Sequence, residues 1–230
     1  MQYDILILAG ERYRGLIDYK NVFFLTDNPN VDDRLAGHTD LSLFYAGGEK
    51  LFCSNHLKSL KFKINPTFLD EIQDKKYPKD VIFNAKMVGE AVFLNEKYIS
   101  TAILEYLKKA GKRIIKVNQG YSACCTLAVD DRSIITSDAG IYSAALDNGF
   151  NALKIRPGYF ELEGFDYGFI GGSAFPIDDK TIAFTGKIDS HPDEGLIREF
   201  IISCGKETVY LSNKNAFDIG AVTVPSFFFQ

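Results

Sequence analysis

The stretch from Gly120 to Pro157, GYSACCTLAVDDRSIITSDAGIYSAALDNGFNALKIRP, constrains this chain most. It reads as one supersecondary module. Tyr121 to Val129 is apolar and β-prone, Asp130-Asp131-Arg132-Ser133 is a turn, and Ile134 to Thr136 runs back as a second strand. Ser137 or Asp138 caps a helix from Gly140 to Leu146, with Gly149 just past its end. Ala152 to Ile155 is a third strand, stopped at Pro157. A module this small cannot bury a core alone, so it must pack against copies of itself or against other elements.

The rest of the chain supplies related pieces. Strands are expected at Tyr3–Ala9, Asn21–Leu25, Val81–Phe83, Ala91–Leu94, Arg113–Val117 and Thr208–Leu211. Asp27 to Gly37 is polar, carries Pro29 and reads as a loop. Hairpins are expected at His38–Tyr45 with Lys50–Cys53 across Gly47-Gly48, and at Gly171–Ile177 with Thr181–Thr185 across Asp178-Asp179. Helices are expected over Asn65–Asp74, Ser100–Ala110 (capped by Ser100, ended by Gly111) and Asp193–Ser203 (ended by Gly205). Gly220 to Phe229 is a last strand or strand pair.

Gly120-Tyr-Ser-Ala-Cys124-Cys125 matches Gly171-Gly-Ser-Ala-Phe175-Pro176. His38-Thr-Asp-Leu-Ser42, Asn84-Ala-Lys-Met-Val88 and Gly220-Ala-Val-Thr-Val224 begin three further copies. The starts are about 35 to 50 residues apart, the period of arrays and propellers. The last copy breaks off, and the N-terminal strands Tyr3 to Leu25 complete it, which closes a ring and removes sheet edges. The expected fold is therefore α/β: one domain over residues 1–230, a five-bladed pseudo-symmetric α/β propeller of ββαβ units around a central channel. A two-layer α/β domain with unrelated hairpins is the competing architecture.

Composition narrows the function classes. A net charge of -4 disfavours nucleic acid, whose phosphates need clustered Lys and Arg. No apolar run approaches the ~20 residues of a membrane span, and the Met1-Gln-Tyr-Asp start does not resemble a signal peptide. The 4 cysteines, two of them adjacent, form no disulfide framework, so a cytoplasmic location is expected. With no Cys-x-x-Cys and three scattered histidines there is no zinc signature, and no metal or cofactor is expected.

The five-unit pattern resembles the pentein fold of the guanidino-group-modifying enzymes: arginine and agmatine deiminases, amidinotransferases and dimethylarginine dimethylaminohydrolases. The resemblance covers nearly the whole chain in architecture and rests on two places in motif. The first is His38-Thr39-Asp40. It is similar to the family's His-x-Asp, which implies His38 as general acid/base and Asp40 as the grip on a guanidinium. As alternate residues of a strand, His38 and Asp40 face one side together. The second is Phe217 to Ser226, similar to the segment that holds the family's catalytic cysteine; there the nucleophile position falls on Val224. Valine cannot form the covalent intermediate this chemistry uses.

Cys124 occupies the repeat position matched to Val224, so it is aimed at the channel, either as a relocated nucleophile or as a small buried hydrophobe. Cys125 faces the layer between sheet and helix, Cys53 and Cys204 are structural, and His191-Pro192 is a turn feature. Asn84, Ser122, Ser173 and Asp218, also near repeat starts, are candidate ligand-binding residues, and Gly171-Gly172 either offers backbone N–H groups or relieves crowding. Acidic groups there favour a small cationic guanidino or amino ligand. The aromatic connection Tyr159 to Phe169 suits a lid, an oligomer contact or core packing. Two functional readings stand open. One is a non-catalytic relative that binds such a ligand or a partner. The other is a guanidino hydrolase or deiminase using Cys124, His38 and Asp40.

Overall fold

The computed structural model describes residues 7–17, 22–62 and 64–224. The expected strand residues Tyr3 to Leu6, Asn21 and Pro225 to Phe229 lie outside these. The described chain forms five small sheets. The first complete one is β3 (Leu43–Tyr45), β4 (Leu51–Ser54) and β5 (Thr67–Leu69). The next is β6 (Lys86–Val88), β7 (Ala91–Leu94) and β8 (Arg113–Lys116), with α1 (Thr101–Lys109) between the last two. The third holds β9 (Thr126–Ala128), β10 (Ser133–Thr136) and β11 (Asn151–Lys154), with α3 (Ala139–Asp147) after the short α2 (Ser122–Cys125). The fourth holds β12 (Ala174–Pro176), β13 (Thr181–Phe184) and β14 (Glu207–Tyr210), with α5 (Glu194–Ser203) after the short α4 (Ile170–Ser173). In each, the second strand pairs antiparallel with the first and parallel with the third.

The fifth sheet joins the chain ends. β1 (Ile7–Gly10) pairs parallel with β2 (Val22–Leu25), and Thr223 bridges antiparallel to Leu8. The Leu8 N–H donates to the Thr223 carbonyl at 2.8 Å and the Thr223 N–H returns a bond at 3.3 Å. The order antiparallel–parallel is thus kept with strands from opposite termini, as expected. The fold is a five-bladed α/β propeller of ββαβ-type units.

Packing closes the ring. Five apolar clusters each join one unit to the next. Phe44, Phe52 and Leu69 pack with Val92, Leu94 and Ile103; Ala91, Phe93 and Ile115 with Ile134 and Ile141; Leu127, Ile135 and Ile155 with Ile182, Phe184 and Ile197; Phe175 and Ala183 with Ile7, Ala9 and Val222; and Leu8 and Leu25 with Leu43, Leu51 and Cys53. Each central strand serves two clusters by alternation: Ile134 faces one neighbour and Ile135 the other. That is why these strands read as continuous apolar runs rather than alternating ones. The helices are set by their caps. The Asp138 carboxylate accepts the Ile141 N–H at 2.8 Å, Ser100 accepts the Ile103 N–H at 3.4 Å, and Gly111, Gly149 and Gly205 take the positive φ that ends each helix.

Three expectations are corrected. Asn65–Asp74 contains no helix: Thr67–Leu69 is β5, because Phe52–Ser54 needs a parallel partner, and the unit's helix is reduced to a 3-10 turn at Asn55–Leu57. Val81–Phe83 is a turn closed by the Asn84 N–H on the Val81 carbonyl at 2.9 Å. The starts of three first strands are helical turns instead: Thr39–Leu41, Ser122–Cys125 and Ile170–Ser173. The repeat register moves with them. The hairpin-closing bonds Ala46→Lys50, Val129→Ser133 and Ile177→Thr181 align Ser42 with Cys125 and Ser173. Gly171 therefore does not correspond to Gly120. Val224 lies beyond the ladder residue Thr223 whereas Cys124 precedes its strand, so these two are not equivalent either.

Two outcomes follow from this packing. A Cβ on Gly172 would sit 1.8 Å from Asp218 Oδ1, so Gly172→Ala should cost several kcal/mol, read as a fall in denaturant midpoint, with Gly15→Ala, which meets nothing, as control. Burial in the core raises the Cys53 thiol above its ordinary value of 9.0. The unfolded thiol ionises first, so this contribution is intact below pH 9.0 and is lost as pH climbs above it. Stability of the parent should fall faster than that of Cys53→Ala above that pH, by about 1.4 kcal/mol per pH unit in chemical denaturation. Equal slopes would refute it.

Candidate functional site

Residues from four of the five units meet where the first strands begin. His38 and Asp40 come from the turn before β3, Asn84 from the turn before β6, Cys124 from α2, and Asp218 from the segment before Thr223. All are buried. Asp40 is the hub. Its Oδ1 accepts the Ala221 N–H at 3.0 Å, and its Oδ2 accepts from the Asn84 amide at 2.5 Å and from the Cys124 thiol at 2.6 Å. Asn84 completes the link by accepting the Ala123 N–H at 2.7 Å. Asp218 is held by the Gly220 N–H on Oδ1 at 2.8 Å and the Phe169 N–H on Oδ2 at 2.9 Å, and it lies 4.0 Å from His38 Nδ1. His38 Nε2 is buried without a hydrogen-bond partner, and the Tyr13 ring stands tilted beside the imidazole at 6.5 Å.

The sequence pattern put His38 and Asp40 on one face of an extended strand. Here residues 39–41 form a 3-10 turn, which still brings both to the cluster. Cys124, Asn84 and Asp218 join them. Ser122 and Ser173 do not reach it: their hydroxyls donate to the Gln119 and Phe169 carbonyls, both at 2.8 Å, and so brace their own helical turns. Gly171 and Gly172 relieve crowding, since a Cβ on Gly171 would meet the Ala123 carbonyl at 2.4 Å. His191 is the turn feature expected, its Nδ1 accepting the Asp193 N–H at 3.0 Å. Cys125 packs into the layer with Ile134 and Ile141.

The electrostatics are those of a closed acidic site. Burial, then the charges of Asp40 and Asp218, push the Cys124 thiol well above its ordinary range. Burial also raises the Asp218 carboxyl, opposed by His38 and by its two N–H donors. Beside the cluster lies a cavity of about 150 Å³ walled by residues of all five first strands: Leu43, Met87, Ala128, Pro176 and Thr223 among them, with Asp40 and Lys86 as its charged groups. Desolvation lowers the Lys86 ammonium, while Asp40 and Cys124 pull it back. An apolar cap of Val31, Leu35, Leu41 and Val81, packed with Tyr121 and Leu162, adjoins the cluster at Leu41, the sequence neighbour of Asp40. The expected loop from Asp27 to Gly37 supplies part of that cap.

Sequence reasoning placed Lys86, the first residue of β6, and Gly220 in repeat starts but named neither as a site residue. Gly220 has φ +78°, and a Cβ there would meet His38 at 2.6 Å; the glycine between Ile219 and Ala221 was the available signal. Among the described residues, His38, Cys124 and Asp218 are the group whose ligand atoms could hold a metal, all lying within 4.8 Å of one another.

Solved structures share this fold. An amidinotransferase from Microseira wollei in the saxitoxin biosynthetic pathway is 9% identical with a TM-score of 0.55, over 92% of this chain and 80% of that one. C. jejuni agmatine deiminase is 14% identical with a TM-score of 0.51, over 96% and 80%. A dimethylarginine dimethylaminohydrolase adduct with S-methyl-L-thiocitrulline is 9% identical with a TM-score of 0.52, over 83% and 74%. At these identities the likeness is one of fold, and it bears out the pentein architecture. No curated protein matches the chain. Residues 12–223 match DUF6873, a family of unknown function, and the chain belongs to that family.

Proposed function

We propose that this protein is a single-domain, non-catalytic pentein-fold receptor for a small guanidino or amino compound, with the Asp40 carboxylate as the anchor for the ligand's cationic group. The observation that carries this reading is the state of Cys124: its thiol is buried, donates to Asp40 at 2.6 Å and is pushed away from ionisation by two carboxylates. A nucleophilic cysteine needs the opposite environment. Neutral Val224, at the cavity wall, supplies no substitute.

The cavity shapes the ligand. Its volume of about 150 Å³ is below the roughly 300–1,000 Å³ of drug-sized pockets, which favours a small molecule. Asp40 suits a cationic group, and Lys86 in the same wall suits an anionic one. A ligand carrying both, such as arginine, is favoured over agmatine, which has no carboxylate.

Convergence of His38, Asp40 and Cys124 also favours a second reading, a guanidino hydrolase or deiminase using that trio. In that case Cys124 must pass its proton to the nearby His38 imidazole when substrate displaces it from Asp40.

Calorimetric titration with arginine, agmatine and methylarginines separates the two, run beside an ammonia and citrulline assay. Arginine should bind and remain unchanged. Asp40→Asn should weaken binding by about tenfold or more, the effect of losing a charged hydrogen bond of about 1.5–3 kcal/mol. Lys86→Met should reduce the preference for arginine over agmatine. Iodoacetamide should label Cys204 well before Cys124, because Cys204 is only half-buried. Turnover abolished by Cys124→Ser would overturn the receptor reading in favour of the hydrolase.

A further inference from the structure

We propose that His38, Cys124 and Asp218 form a binding site for one divalent transition metal of the zinc class. The site is buried beside Asp40, and it ties the first, third and fifth units together.

Three observations carry this. The imidazole, thiol and carboxylate are a mixed nitrogen, sulfur and oxygen donor set, and their ligand atoms all lie within 4.8 Å of one another. Around a tetrahedral ion with bonds of about 2.0–2.3 Å, such atoms lie roughly 3.3–3.8 Å apart. The cluster therefore needs to contract by about 1 Å, the scale of small side-chain rotations. That donor set suits zinc better than magnesium or calcium, which take oxygen.

The second observation is the unsatisfied nitrogen. His38 is 2% exposed, and its Nε2 has no partner, although a buried polar atom without one is costly. A metal bond at Nε2 would remove that cost directly.

The third is charge and orientation. Asp40 and Asp218 are both buried, and among the described residues the half-buried Lys86 is the cation of the cavity wall beside them. A dication answers that excess. The carboxylates are already aimed: Asp218 by the Gly220 and Phe169 N–H groups, Asp40 by the Ala221 N–H and the Asn84 amide. Supported ligands of this kind are what a metal site requires. Asp40, whose Oδ2 is 2.6 Å from Cys124 Sγ, is placed either to orient the sulfur or to complete the coordination. On binding, the Cys124 S–H bond breaks, its proton leaves to solvent, and the freed sulfur lone pair bonds the ion. The ligands come from residues 38, 124 and 218, which is why no metal-ligand spacing appears in the sequence.

The test uses the full chain without a histidine tag, loaded with zinc alone and then passed through gel filtration. Elemental analysis should find about one zinc per chain, as for a closed site. X-ray absorption at the zinc edge should show sulfur together with nitrogen or oxygen donors, a readout that needs no variant. Cobalt in place of zinc should give a thiolate charge-transfer band that Cys204→Ser keeps and Cys124→Ser loses. Asp218→Asn should weaken metal binding at least tenfold. Substoichiometric zinc, a zinc shell without sulfur, or a cobalt band that survives Cys124→Ser would overturn the proposal. Arginine titration of the metal-free protein reads the receptor function separately, so either idea can fail alone.

Discussion

The ring depends on strands that are apolar on both faces. β1, β4, β7, β10 and β13 are each fully buried, and each sends successive side chains to different neighbours. No unit owns a core. Phe52 completes the cluster shared with α1, and Leu51 and Cys53 complete the one shared with β1 and β2. Removal of any one unit would expose two such faces, so the fifth unit must be finished even though its strands lie at opposite ends of the chain. The pairing of Leu8 with Thr223 is the backbone expression of that need.

Closing a ring of short strands crowds its centre. The helical turns α2 and α4 lie so close that a Cβ on Gly171 would meet three carbonyl oxygens, those of Ala123, Cys124 and Thr126. Gly172 and Gly220 leave room for Asp218, Asp40 and His38. Backbone N–H groups in this crowded centre are answered by carboxylates: Ala221 by Asp40, and Gly220 and Phe169 by Asp218. The acidic cluster is thus partly a consequence of ring closure. Buried carboxylates that accept backbone bonds stabilise the turns, and their proximity in turn holds Cys124 as a thiol.

Architecture was legible in the sequence because it is written in repeated local patterns. The run Ser133–Thr136, the Asp138 cap and Gly149 each carry their own signal, and the same signals return in the neighbouring units. The strand starts were misread because Ser122-Ala-Cys-Cys and Ile170-Gly-Gly-Ser have no strong local preference; the close approach of α2 and α4 decides their turn conformation. The Asn65–Asp74 segment was misread for a related reason. Pro66 suits a helix start, but the parallel edge of β4 recruits Thr67–Leu69 instead.

The candidate site was legible only where a resemblance supplied a string. His38-Thr-Asp40 pointed to two of its members, and the repeat starts pointed to Asn84, Cys124 and Asp218. Ser122 and Ser173 were proposed on the same ground and turned aside, because a hydroxyl within reach of a carbonyl three or four residues back satisfies itself locally. Asp218 also bonds locally, to the Gly220 N–H, but its second oxygen reaches the distant Phe169 N–H. Cys124 must donate to Asp40, 84 positions away, and Asp40 must reach Ala221, 181 positions away. What the site members share is a bond or contact to a distant unit, which the two serines lack, so long-range partners rather than place in the repeat mark the site.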